Sequence, residues 1–100
     1  MAYEIIWTPK ANTKFISLCN YLEKEWGERI ACNFASDLYR MLELLVIFPE
    51  IGGMEKKEQY IRGVLIRKQT KLFYTIKEER IILLTFFDIR QHPSKRHEGL

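Results

Sequence analysis

Residues 60–92 read YIRGVLIRKQTKLFYTIKEERIILLTFFDIRQH, and this stretch constrains the fold more than any other. It holds three apolar runs, at 60–66, 72–76 and 81–87, separated only by RKQTK and KEER. Runs of about 5–7 residues rich in Ile, Val, Phe, Tyr and Thr, bounded by short polar clusters, are strands joined by hairpins. The run IILLTFF shows no polar–apolar alternation, the pattern of a strand covered on both faces and set inside the sheet. In the first run, Ile61 and Leu65 point one way and Tyr60, Arg62, Val64 and Ile66 the other. Cations gather at the strand ends: Arg62, Arg67, Lys68, Lys71 and Arg90. The expected core is an apolar sheet with a positive rim.

The first half has a different period. YEIIW, residues 3–7, is a short opening strand. Thr8 and Pro9 then mark a helix start, with Thr as the cap and Pro where its missing N–H costs nothing. Phe15, Leu18, Cys19, Leu22 and Trp26 recur at helical spacing, and Gly27 stops that helix. A second stripe follows in Ile30, Phe34, Leu38, Met41, Leu42 and Leu45, closed by Phe48 and Pro49. Two helices with so short a link fold back as a hairpin and bury their stripes on the sheet. Residues 50–59 (EIGGMEKKEQ) read as a loop, and residues 91–100 as a loose polar tail. The class is therefore α+β: an N-terminal strand, a two-helix hairpin, then a three-stranded antiparallel meander with the helices on one face.

One hundred residues, 47% of them apolar, make one domain spanning 1–100 with a core of useful size. No run approaches the ~20 apolar residues of a membrane helix, and MAYEIIWTPK lacks a signal peptide's apolar stretch. Cys19 and Cys32 have neither C-x-x-C spacing nor nearby histidines, so they read as buried free thiols in a reducing cytosol, with no metal or cofactor. The net charge of +3 is divided unevenly. Residues 1–55 carry 5 basic and 8 acidic side chains, and residues 56–100 carry 11 and 5. A half with a balance of +6 suits an anionic partner.

Several marks occur here in a fixed order: Arg62 entering a strand, Lys71 shortly before Tyr74, a charged turn, and an apolar strand ending in Asp88-x-Arg90-Gln91-x-Pro93. In this order the chain resembles toxins of the RelE/ParE superfamily of bacterial type II toxin–antitoxin systems, over nearly its whole length. The resemblance implies a cytoplasmic, growth-inhibiting toxin of the plasmid-stabilisation kind, silenced in a hetero-oligomer by a small cognate antitoxin. The helical hairpin around YLEKEWGERIACNF and the ending DIRQHP look nearer the ParE branch, whose members inhibit DNA gyrase. On that branch Arg62, Arg67, Lys68, Lys71 and Arg90 would bind the antitoxin or another anionic partner. The other branch, RelE-like ribosome-dependent cleavage of messenger RNA, would use Arg67 and Arg90 as catalytic cations. Lys71 would lie between them by hairpin geometry.

Such cleavage needs an acid–base pair as well as cations that stabilise the transition state. That branch's C-terminal Tyr or His has no clear counterpart here: His92, two residues after Arg90, reads as a solvated tail histidine with a catalytic base as the alternative, and His97 lies in the tail. A third reading is an inert relic that only binds its antitoxin. Each arginine also has a purely structural alternative, pairing with a carboxylate such as Glu58 or Asp88. Glu23, Glu25 and Glu28 read as a solvated helix surface, and Trp7 and Trp26 as core or interface aromatics.

Overall fold

Thr8 ties the helical half of the chain to the sheet, and the architecture follows from that tie. The computed structural model describes residues 3–91. In chain order they form β1 (Glu4–Trp7), α1 (Pro9–Trp26), α2 (Glu28–Ile47), β2 (Gly53–Lys56), β3 (Ile61–Ile66), β4 (Thr70–Lys77) and β5 (Arg80–Asp88). The Thr8 hydroxyl accepts from the Ala11 amide at 3.1 Å, capping α1, and donates to the Leu83 carbonyl of β5 at 2.7 Å. Gly27, with a φ of 99°, is the sole residue between the helices. Its left-handed backbone is what allows the chain to reverse there. The strands form one sheet ordered β1-β5-β4-β3-β2, antiparallel except that β1 runs parallel to β5. This is the expected α+β architecture, with the 60–88 meander as its centre.

Leu18 and Leu22 of α1 and Phe34, Leu38, Leu42 and Leu45 of α2 pack with Ile66, Leu72, Tyr74, Ile81, Leu83 and Phe86 of the sheet. Each fully buried leucine contributes about 1.5–3 kcal/mol. Trp7, Phe15, Phe34 and Phe86 extend this core, with ring centroids 5.4–6.4 Å apart. The α1 stripe stops one turn short of expectation: Trp26, at the hairpin tip, is 55% exposed. Cys32 is likewise exposed rather than buried, while Cys19 is half-buried. Burial, and then the nearby Cys32, raises the Cys19 thiol pKa.

The helices cover one face of the sheet only, which corrects the reading of IILLTFF as doubly covered. Phe73 pairs with Thr85 but Tyr74 pairs with Leu83, so Leu84 is an extra residue in β5. The bulge resets the alternation. Ile81 and Leu83 are buried before it, and Phe86 and Asp88 after it. A strand that changes parity midway looks unalternating in sequence although one of its faces is open. On that open face Leu65 is 52% exposed.

The segment expected to be a loop at 50–59 contains the edge strand β2 and a 3₁₀ turn at Lys57–Gln59. Gly53 stands opposite Gly63, and the ladder slips between Met54 and Lys56. Tyr60 lies outside β3, exposed, with a φ of 56°. Tyr74 anchors the whole excursion. Its hydroxyl donates to the Pro49 carbonyl at 2.7 Å and accepts from the Gly52 amide at 2.9 Å. A Cβ on Gly52 would meet that hydroxyl at 2.7 Å and the Gly63 carbonyl oxygen at 2.8 Å, so only glycine fits. Burial pushes the Tyr74 phenol pKa up.

Tyr74→Phe leaves the Gly52 amide without its acceptor and the Pro49 carbonyl without its donor. The expected loss is roughly 1–3 kcal/mol in urea unfolding. An unchanged midpoint would show that water replaces the hydroxyl.

Candidate functional site

The five cations singled out in the sequence are held in different places. Arg67 sits in the β3–β4 turn with a φ of 58°, and its guanidinium engages Asp37 of α2 through Nε and Nη2. The Arg67 side chain is 65% exposed and that of Asp37 only 13%. The hydrogen bond to Asp37, and then its charge, raises the Arg67 pKa.

Arg90 grips Asp88 with two parallel bonds, Nε to Oδ1 at 3.0 Å and Nη2 to Oδ2 at 2.8 Å. Asp88 also accepts from the Arg90 amide at 2.8 Å and from the Thr70 hydroxyl. Burial alone would raise its carboxyl pKa, but the bonds from Arg90 and Thr70 outweigh burial and hold it below the usual carboxylate range. Tyr21 of α1 donates to the Arg90 carbonyl at 2.7 Å, fixing the end of β5 against the helix.

Arg67 and Arg90 both line one cleft of about 160 Å³ between α2 and the β3–β4 turn. Asn33, Phe34, Asp37 and Gln69 line it with them. Lys71 does not join them, which corrects its expected position. Strand alternation sends Thr70 toward the helices and Lys71 to the open face, where its ammonium pairs with Glu55 at 2.9 Å. Lys68 is exposed in the turn. Arg62 pairs with neither Glu58 nor Asp88; it donates to the carbonyls of Gly52 at 2.7 Å and Glu50 at 3.3 Å. His92 and His97 lie outside the described residues.

The open face is the second feature. A hollow of about 700 Å³ is lined by Thr8, Lys10, Glu55, Lys56, Ile61, Phe73, Leu84 and Thr85. Its floor is apolar, with Leu65 and the half-buried Phe87 beyond it, and lysines stand at its edge. Such a surface can bury an amphipathic segment and meet acidic side chains at the rim.

Chemically, the cleft offers charge stabilisation and recognition. Proton transfer has little to work with among the described residues. Asp88 is buried and held ionised, and Asp37 and Glu55 are each committed to a cation. Asp37, Asn33, Gln69 and Glu55 are the residues the sequence did not single out. Asp37 alone left a trace there, as an acid lying between Phe34 and Leu38 of the apolar stripe.

No protein-family model and no curated protein matches the sequence. Solved structures do match in fold. A chain of the chromosomal ParDE TA (toxin–antitoxin) system from P. aeruginosa superposes with a TM-score of 0.71 at 17% identity, covering 86% of this chain and 95% of that one. A copper-bound mutant toxin from Helicobacter pylori superposes with a TM-score of 0.60 at 16% identity, covering 90% and 98%. The chain thus has the fold of these solved structures, the RelE/ParE-like fold. Among the described residues, no helix is long and apolar enough to cross a membrane.

Proposed function

We propose that this protein is the toxin of a bacterial type II toxin–antitoxin pair, acting in the cytoplasm by binding, with DNA gyrase as its target. The observation that carries the reading is the fold shared with the ParDE system over 86% of the chain. The open sheet face supports an antitoxin partner. An acidic amphipathic segment would bury its apolar side on Ile61, Phe73 and Leu84 and meet Lys10 and Lys56 at the rim.

The state of the acids favours gyrase inhibition over RelE-like cleavage of messenger RNA. A nuclease needs a general acid and a general base beside its cations. Among the described residues Asp37, Glu55 and Asp88 are each held by a cation. Binding at a protein surface needs no acid–base pair, only a few well-packed anchors.

Induction of the chain alone in bacteria is expected to arrest growth, and co-expression of its antitoxin to restore it. Normal growth with soluble, folded protein would leave the antitoxin-binding relic in its place.

A further inference from the structure

The Arg67–Arg90 cleft has more donors than its own acids use. Each guanidinium gives its Nε and Nη2 edge to a carboxylate, and neither Nη1 has a partner among the described residues. The side-chain amides of Asn33 and Gln69 line the same cleft and bond to no described residue. Ile30, Phe34 and Ile66 supply an apolar wall beside these donors. At about 160 Å³ the cleft is smaller than the ~300–1,000 Å³ of small-molecule and cofactor sites. It has room for one side chain.

We propose that this cleft anchors a single glutamate of an acidic protein segment. The carboxylate would be held by the free edges of Arg67 and Arg90 and the amides of Asn33 and Gln69, with the glutamate methylenes against Ile30, Phe34 and Ile66. A guanidinium presents its donors in a plane that matches a carboxylate, and the apolar wall rewards a short hydrocarbon stem. Asp37 is the built-in competitor: it occupies one edge of Arg67 and repels an incoming carboxylate. The inference rests on the partner-binding reading only in making the antitoxin the bearer of that glutamate.

The test titrates the ¹⁵N-labelled full chain with Ac-Leu-Glu-Leu-NH₂, with its Gln counterpart, and with inorganic phosphate. The Glu peptide is expected to shift the side-chain amide signals of Asn33 and Gln69 and the Nε–H signals of Arg67 and Arg90, and the Gln peptide to shift none. Arg67→Gln should weaken binding about tenfold or more. Asp37→Asn should tighten it about two- to fivefold by removing the competitor. The two variants move in opposite directions, so loss of folding cannot imitate the result. Equal shifts from both peptides, no shifts, tighter binding of phosphate, or weaker binding by Asp37→Asn would each overturn the proposal. Growth arrest without peptide binding would retain the toxin reading and discard this site. Peptide binding without growth arrest would do the reverse.

Discussion

Asp88→Ala is expected to destabilise the fold by about 3–5 kcal/mol, a large share of the stability of a domain this size. Asp88 is fully buried and accepts from Thr70, from the Arg90 amide and from Nε and Nη2 of the Arg90 guanidinium. Without it, a guanidinium only 20% exposed and a buried hydroxyl lose their acceptor together. Removing one member of a buried pair leaves the other charged and unsolvated, and the remaining exposure of Arg90 puts the loss toward the lower end of that range. The Arg67–Asp37 pair is a control, because Arg67 is open to water and Arg67→Ala should leave stability nearly unchanged.

The same pair sets a pH dependence. The folded carboxyl of Asp88 lies below its unfolded value, so its contribution is complete above the ordinary carboxylate range and is lost as pH falls through the folded value. Wild type should therefore lose its advantage over Asp88→Ala in acid, below about pH 4. Urea unfolding of both proteins at neutral and acid pH measures this. An Asp88→Ala midpoint close to wild type at neutral pH would show that water already screens the pair.

The elements with strong local signals were legible in the sequence. The Thr8–Pro9 start, the Gly27 break and the 3.6-residue stripes define both helices without help from the sheet. Strands β3 to β5 are bounded by charged turns, so their existence and order could be read. Strand β2 could not, because GMEK is exposed at all four positions and owes its conformation to pairing with β3 and to the Tyr74 anchor. The missing alternation of β5 was misleading, since a bulge and double burial leave the same trace in sequence. At the site, hairpin order brought Arg67 and Arg90 to one end of the sheet, but side-chain parity separated Lys71 from them. The acids that occupy these cations come from distant segments. Asp37 is 30 residues from Arg67 and Glu55 is 16 from Lys71, and no local pattern encodes either pairing.

Arg67→Ala is also the variant that separates the proposed gyrase inhibition from its alternative, messenger cleavage. In a ribosome-dependent nuclease, loss of one cation that stabilises the transition state would lower cleavage on the order of 10²–10³-fold. In a gyrase inhibitor Arg67 is one contact at a binding surface, and the wild-type protein should block supercoiling with no ribosomes present. The direct measurement runs both assays on one preparation: supercoiling by purified gyrase, and messenger integrity in translating ribosomes. The account predicts inhibited supercoiling and intact messenger. Messenger cleavage that disappears in Arg67→Ala, with supercoiling untouched by either protein, would contradict it.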